Sequence, residues 1–167
     1  MKKVLWFTGL SGAGKTTRAY QLHKKLKNSI IIDSDNLQIF KKGPFTEKDR
    51  LETQKKIINI IKYYLKKKEI CYVIVSFITP FKKDREKLKR IFKEKFVEIY
   101  INTPLDVCIK RDPKGLYKQA LCGKIKNFPG IEVPYEKPDN PDIAIDTLEV
   151  LPEEAAKMII NFLEGEK

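Results

Sequence analysis

Eight consecutive residues near the start of the chain have the types and spacing needed to hold a row of phosphates. Gly9-Leu10-Ser11-Gly12-Ala13-Gly14-Lys15-Thr16 matches the pattern GxxxxGK[ST] at every fixed position. Glycines let successive backbone N–H groups turn inward around phosphate oxygens, and a helix starting near Lys15 would point its positive end at the same place. We expect Lys15 to reach the β- and γ-phosphates of ATP, and the Thr16 hydroxyl to ligate Mg²⁺. The motif therefore predicts an ATP site.

Two carboxylates follow the second predicted strand, in Asp33-Ser34-Asp35. The third predicted strand runs into Ser76-Phe77 instead of ending in the carboxylate that many nucleotide hydrolases have there, and the chain lacks the guanine-reading NKxD motif. A carboxylate pair beside a phosphate loop suits a small-molecule kinase. One acid helps to organise Mg²⁺, and the other accepts the proton of the acceptor hydroxyl. The alternative for these aspartates is a simple turn with an aspartate cap.

The elements that must position these groups follow from the hydrophobic pattern. Short apolar runs alternate with longer amphipathic stretches along the chain. We predict strands at residues 4–7, 29–32, 72–75, 96–101 and 143–146, and helices at residues 15–27, 50–68, 82–95, 104–110 and 152–164. This alternation is typical of a parallel sheet with helices on both faces. The predicted fold class is α/β, a three-layer P-loop NTPase fold with a mainly parallel five-stranded sheet flanked by helices.

Residues 112–142 interrupt the alternation. They hold five of the nine prolines and three of the eight glycines, and they show little periodicity. An irregular region of this length in a compact domain is usually a functional lid or a disordered linker. We predict a single domain over residues 1–167, with a lid in the region 112–142.

The charge of the chain bears on its partners. It has 34 basic and 22 acidic residues, for a formal net charge of +12. Such an excess favours polyanions, whether nucleotides, nucleic acid or anionic membranes. Because the lysines are spread over many predicted helix faces, we expect a solvated lysine-rich surface with one local phosphate site and no stable nucleic-acid partner. A polynucleotide kinase is the alternative that the charge favours, and it would bind oligonucleotides with a strong salt dependence.

The spacing of the cysteines and the lengths of the apolar runs indicate where in the cell the protein is expected. The three cysteines, at positions 71, 108 and 122, show no CxxC spacing, and His23 is the single histidine. This composition does not match the usual zinc patterns and fits a reducing environment. The N-terminal apolar run is shorter than the roughly 7–15 residues of a signal peptide, and no run approaches the roughly 20 residues of a membrane span. We therefore expect a cytoplasmic protein with no membrane partner.

Six segments, in order, resemble those of the adenylylsulfate kinases, which transfer the γ-phosphate of ATP to the ribose 3′-hydroxyl of adenylylsulfate. The likeness covers nearly the whole chain, and the segment at 111–118, Arg-Asp-Pro-Lys-Gly-Leu-Tyr-Lys, is the most specific. Three of the other segments are similar to family motifs: Asp33-Ser34-Asp35-Asn36 to DGDN, Phe45 to Arg50 to GFSxxDR, and Ser76 to Pro80 to SFISP. The remaining two are the phosphate loop with Thr17, and residues 123–131 followed by Pro134-Tyr135-Glu136.

The resemblance implies roles for individual residues. Catalytic roles fall to Lys15, Asp35 and Lys114, with Asp35 as the base and, together with Thr16, a ligand of Mg²⁺. The residues implied for ATP are Gly9, Ser11, Gly12, Ala13, Gly14, Lys15, Thr16, Thr17 and Arg111. Those implied for the acceptor are Asp33, Gln38, Phe45, Arg50, Thr53, Ile78, Lys114, Leu116 and Phe128.

Within this set, the resemblance makes Phe45 and Phe128 an aromatic pair around the base of the acceptor, and Arg50 a contact for its anionic groups. On residue type alone, both phenylalanines would more often be core. Lys114, Leu116 and Tyr117 fall in the lid, whose closure would keep water from ATP. The resemblance also implies ATP and Mg²⁺ as co-substrate and cofactor, a small nucleotide as partner, and a homodimer.

The departures from the family pattern lie where the acceptor binds. Gln38 stands where the family usually has arginine, and Thr53 where it has asparagine. Glutamine cannot replace a bidentate anion clamp, so the acceptor is either adenylylsulfate, with Lys41 or Lys42 compensating, or another nucleotide such as cytidine diphosphoramidate, which one relative of the family phosphorylates. A non-catalytic nucleotide sensor is a further alternative, which the intact Lys15, Thr16 and Asp35 oppose.

Overall fold

The computed structural model describes residues 2–33 and 46–165. Five strands form one sheet: β1 Lys3–Thr8, β2 Ser29–Asp33, β3 Tyr72–Ser76, β4 Phe96–Asn102 and β5 Ile143–Asp146. The helices that the structure describes are α1 Lys15–Lys25, α2 Glu47–Leu65, α3 Lys82–Phe92, α4 Leu105–Arg111, α5 Leu116–Leu121 and α6 Pro152–Gly165, with one 3₁₀ turn at Lys93–Lys95.

The strand order in the sheet is β2-β3-β1-β4-β5, and every neighbouring pair is parallel. β1 lies at the centre, and all six of its residues are buried, as expected for a strand covered on both faces. Since the strands are parallel, Thr8, Asp33 and Ser76 end their strands at the same edge. In an open sheet of this kind, ligands bind outside the carboxyl ends of the strands.

Alternation along β1 sends its side chains to two cores. Leu5 and Phe7 belong to the core that includes Leu22 of α1 and residues of α6, whereas Val4 and Trp6 belong to the core formed with α2 and α3. Helices therefore cover both faces of the sheet. The prediction of a three-layer α/β fold with a parallel five-stranded sheet is confirmed.

Several helix boundaries differ from the sequence-based prediction, and one helix, α5, was not predicted. α2 begins three residues earlier than expected, because the hydroxyl of Thr46 accepts a hydrogen bond from the backbone N–H of Asp49 (3.2 Å) and caps the helix. α3 ends at Phe92, where Lys93 adopts a positive φ of 50°. α5 lies within residues 112–142, for which no helix was predicted.

Among the described helices, none combines the length and the apolar composition that crossing a membrane requires.

Candidate phosphotransfer site

A cavity of about 1270 Å³ opens at the carboxyl edge of the sheet. Its walls are the phosphate loop with the start of α1, the start of α2 with the β3–α3 connection, the segment 111–129, and the turn before α6. Because single-ligand pockets usually measure about 300–1,000 Å³, this volume leaves room for two small nucleotides together.

The cavity is strongly basic. Among the described residues that line it, Asp84 is the acidic one and seven are basic: Lys15, Arg18, Arg50, Arg111, Lys114, Lys124 and Lys126. Such a lining attracts anionic ligands and concentrates them at the sheet edge.

The phosphate loop has the backbone shape that its glycines allow. Gly14 precedes α1 with a φ of 94°, and Gly9 has a φ of 153°. A Cβ on Gly9 would lie 2.6 Å from the carbonyl oxygen of Ile101, so the loop approaches β4 too closely for a side chain. Thr103, after β4, donates to the carbonyl of Ala13 at 2.9 Å and holds the loop from behind.

Most of the residues expected to bind ATP line the cavity: Ser11, Gly12, Gly14, Lys15, Thr16, Thr17 and Arg111. Gly9 and Ala13 do not appear in this lining. Ala13 is fully buried in the core on the α1 side, and Gly9 packs against β4, so both shape the loop from below.

Lys15 and Thr16 stand at the start of α1. The Lys15 ammonium group donates to the carbonyl oxygen of Leu10 at 2.7 Å, which holds it against its own loop. The Thr16 hydroxyl lies 3.5 Å from that of Ser76 at the end of β3. Both groups therefore sit at the helix N-terminus, where the helix dipole favours negative charge.

Within residues 2–33 and 46–165, no group of three or more His, Cys, Asp or Glu side chains could hold a metal ion. The donor that the structure does place at the phosphate loop is the hydroxyl oxygen of Thr16. Mg²⁺ prefers oxygen ligands and is usually bound through one or two protein groups together with substrate phosphates, so this position fits Mg²⁺.

The acceptor side of the cavity carries three of the predicted residues on α2 and the β3–α3 connection. Arg50, Thr53 and Ile78 all line it. The Arg50 guanidinium lies 4.5 Å from the centre of the Phe81 ring, in a cation–π contact that fixes its direction. Asp33 is buried at the end of β2, next to Ser76 in the sheet register, and is not among the lining residues.

Lys114, Leu116 and Phe128 line the cavity from the segment between α4 and β5. Phe128 is fully buried, and its ring packs edge-to-face on that of Tyr117, with ring centres 5.1 Å apart. Lys114 is exposed at the rim. The predicted residues Asp35, Gln38 and Phe45 lie outside the described residues.

Hydrogen bonds at the start of α5 hold the segment that carries Lys114 in place. Asp112 accepts hydrogen bonds from the backbone N–H groups of Tyr117 and Lys118, both at 3.0 Å, and so caps this helix. The Tyr117 hydroxyl donates to the carbonyl of Ser11 at 2.9 Å. Burial raises the pKa of Tyr117, so this phenol remains a donor at neutral pH.

Arg85 is buried behind the acceptor side of the cavity and connects several segments there. Its Nη1 and Nη2 donate to the carbonyls of Thr79 (2.7 Å) and Glu136 (2.6 Å), and its Nε lies 2.9 Å from a carboxylate oxygen of Glu98. Burial raises the pKa of Glu98, and the charge of Arg85 opposes this. Tyr135 lies beneath the same guanidinium and shares a hydrogen bond with Thr8 at 2.8 Å.

Sequence reasoning missed several residues that line the cavity. Lys124 and Lys126 belong to one of the segments that resemble the family, but the resemblance implied no role for either. Arg18 was missed although a signal was present, since residues three apart on a helix share a face and Lys15 is three residues earlier. Gln54 lines the cavity and donates to the carbonyl of Asp84 at 3.2 Å.

Comparisons with known proteins agree with this geometry. The family model described as adenylylsulphate kinase matches residues 1–146. The adenylyl-sulfate kinase of Clostridium acetobutylicum is 42% identical over 170 residues, covering 98% of this chain and 84% of that protein. The adenylyl-sulfate kinase of Pseudomonas aeruginosa is 42% identical over 168 residues, covering 96% and 85%.

Among solved structures, the Mycobacterium tuberculosis APS kinase CysC, in complex with AMPPNP and APS, superposes with a TM-score of 0.82. It is 32% identical to this chain, and the match covers 98% of each. The likeness therefore extends over the phosphate loop, the acceptor wall and the segment 111–129 together.

Proposed function

This chain belongs to the adenylylsulfate kinase family, and we propose that it transfers the γ-phosphate of ATP to the ribose 3′-hydroxyl of adenylylsulfate, giving 3′-phosphoadenylylsulfate and ADP. The observation that carries the proposal is a single basic cavity that joins a complete phosphate loop to a second wall carrying Arg50 and Thr53. Two nucleotides held in one cavity meet the first requirement of direct phosphoryl transfer, which is positioning.

The donor is held by the loop and α1. Backbone N–H groups of the loop and the positive end of α1 surround the phosphates of ATP, and Lys15 exchanges the neutral carbonyl of Leu10 for a phosphate oxygen. A charge-assisted hydrogen bond of this kind is shorter and stronger than the one it replaces. Thr16, together with Asp35 outside the described residues, would hold Mg²⁺, which neutralises negative charge on the phosphates.

The acceptor reacts through its 3′-hydroxyl. Asp35 accepts the proton of that hydroxyl, the freed oxygen forms a bond to the γ-phosphorus, and the bond from this phosphorus to the bridging oxygen breaks to release ADP. Lys114 faces the transferring group and offsets the charge that builds up on its oxygens. Arg50 binds the sulfate and phosphate end of the acceptor, and Phe45 and Phe128 hold its base.

The segment 112–142 acts as the lid of the reaction. Its closure over both nucleotides excludes water, which would otherwise accept the phosphate from ATP. The capping of α5 by Asp112 and the bond from Tyr117 to Ser11 support this role, because they link the position of Lys114 to that of the phosphate loop. The use of ATP and the three free cysteines fit a cytoplasmic location.

Adenylylsulfate is favoured over cytidine diphosphoramidate as the acceptor. The relatives that match over nearly the whole chain at 42% identity are named for adenylylsulfate. Thr53 lies one turn after Arg50 on α2 and lines the cavity, so it is available as a contact to either acceptor.

The test is ADP release by the purified chain with ATP, Mg²⁺ and each acceptor in turn. We expect ADP release that depends on adenylylsulfate and is at least about 100-fold slower in Lys15→Met, because a donor that acts on the transferring phosphate is removed. Lys24→Met, which removes an exposed charge from the same helix, is the matched control and should behave as the wild type. Release that does not depend on adenylylsulfate would overturn the proposal.

A further inference from the structure

Arg18, in the first turn of α1, is a buried cation that the proposed roles leave without a function. It is 5% exposed and lines the cavity. Its Nη2 donates to the backbone carbonyl of Val150 at 2.6 Å, which draws the side chain from α1 to the turn before α6. Its Nε makes no hydrogen bond to any described group.

The guanidinium also packs against the phosphate loop. A Cβ built on Gly14 would lie 2.7 Å from Nη1 of Arg18, so any larger residue at position 14 would push this side chain away. Arg18 is therefore wedged between the last glycine of the loop and the Val150 carbonyl. This placement leaves its charge beside the loop that is to receive the phosphates.

The charge of Arg18 is not balanced within the described part of the chain. Burial and the neighbouring cation Arg111 both lower the pKa of its guanidinium, and no described carboxylate forms an ion pair with either arginine. Two cations held together at a cavity, one of them buried, carry desolvation and repulsion costs. Binding of an anion would relieve both costs.

The order of the strands in the sheet indicates which part of ATP lies next to Arg18. Thr16 points toward Ser76 of β3 and the acceptor wall on α2, whereas Arg18 points toward Val150, beyond β5 at the opposite edge of the sheet. The γ-phosphate must face the acceptor, so the remainder of ATP extends toward β5. There the phosphate nearest the nucleoside comes to the start of α1, and Val150, Leu151 and Pro152 offer an apolar wall to the base.

We propose that Arg18 is a donor-binding residue, whose guanidinium, fixed by the Val150 carbonyl next to Gly14 and Arg111, binds the α-phosphate of ATP. The inference rests on the proposed use of ATP as phosphate donor. Because the α-phosphate is not transferred, the contact is equally strong before and during the reaction. It should therefore lower the KM for ATP and leave kcat nearly unchanged.

The experiment measures binding of ATP and of inorganic tripolyphosphate by calorimetry, without an acceptor. We expect Arg18→Met to weaken both ligands by a similar factor of about 10- to 100-fold, as for the loss of a hydrogen bond to a charged group. Arg18→Lys, which keeps the charge, should lose less than Arg18→Met. Lys24→Met on the exposed face of α1 is the control and should bind both within about twofold of wild type, because a distant solvated charge is screened.

Two results would overturn the inference: ATP binding by Arg18→Met within twofold of wild type, or a loss of affinity for ATP that tripolyphosphate does not share, which would place the contact on the nucleoside. If Arg18→Met does not fold, Arg18→Gln is measured instead, since an amide can keep the bond to Val150 without the charge. Failure of the wild type to phosphorylate adenylylsulfate would overturn the proposed function and leave the binding result standing.

Discussion

The hydroxyl of Tyr117 donates a hydrogen bond to the backbone carbonyl of Ser11 at 2.9 Å, which joins helix α5 to the phosphate loop. The two residues are 106 positions apart in sequence, and Tyr117 is 1% exposed. The position of the segment that carries Lys114 is therefore coupled to that of the loop that binds ATP. A change in either one is transmitted to the other through a buried bond.

Tyr117→Phe tests this link. It removes one oxygen and leaves the Ser11 carbonyl without its donor, so we expect the free energy of unfolding to fall by about 0.5–1.5 kcal/mol and ATP affinity to fall a few-fold. Urea denaturation and calorimetry measure the two effects. Tyr63→Phe, at a side chain that is 55% exposed, is the matched control. Unchanged ATP affinity in Tyr117→Phe would show that the link does not reach the phosphate site.

Much of the fold could be predicted from the hydrophobic pattern. Each of the five strands contains an apolar run of at least three residues, and each was located to within two residues of its observed ends. The pattern failed for α5, which has six residues and lies among prolines and glycines. Its start depends on Asp112, which caps it from outside the helix, and on Gly115 with a φ of 63°, and neither signal produces periodicity.

The site could be predicted in part. The phosphate loop is contiguous in sequence, so its residues could be named before the fold was known. The helical spacing from Lys15 could place Arg18 near the loop, but its partner and that of Gln54 could not be named, because they depend on which turn or helix lies across the cavity. The sheet order decides that, and nothing in the local sequence around Arg18 indicates that Val150 lies opposite.

Arg50 provides the test of the acceptor wall. Its guanidinium lies 4.5 Å over Phe81 and lines the cavity at the first turn of α2. We expect Arg50→Met to raise the KM for adenylylsulfate by about 10- to 100-fold, because a charge-assisted contact to the anionic acceptor is lost. ATP affinity should be unchanged. Steady-state kinetics with each substrate varied in turn measure this difference.

Lys48→Met is the control for Arg50→Met, since it removes an exposed charge two residues earlier on the same helix. It should leave both KM values within about twofold of wild type, as a solvated charge contributes little to a screened site. An equal rise in the KM for ATP and for adenylylsulfate in Arg50→Met would contradict the assignment of Arg50 to the acceptor.

Arg85→Lys tests the buried support behind the acceptor wall. Lysine cannot reach Glu98 and the carbonyls of Thr79 and Glu136 together, because the three bonds use the planar fork of arginine. We expect a loss of about 2–4 kcal/mol in the free energy of unfolding, since a buried charge loses partners. Arg90→Lys, at an exposed position of α3, should be neutral. A loss for Arg85→Lys as small as that for Arg90→Lys would refute the role.

Tyr135 gives a prediction for alkaline pH. Burial raises the pKa of its phenol, against the opposing effects of Thr8 and Arg85. A pKa raised in the folded state means that the stability is present below the unfolded value, roughly 10 for tyrosine, and is lost as pH rises above it. Thermal melts of Tyr135→Phe should therefore fall less steeply with pH above 10 than those of wild type. Parallel curves for the two proteins would contradict this.

The most direct test of the central claim is the identity of the product formed from ATP and adenylylsulfate. ³¹P NMR of the purified product should show one new monoester phosphate on the ribose 3′-oxygen of adenylylsulfate, formed in step with ADP. The catalytic efficiency should also be higher for adenylylsulfate than for cytidine diphosphoramidate in the same assay. A phosphate at another oxygen, or a higher efficiency with cytidine diphosphoramidate, would contradict the account.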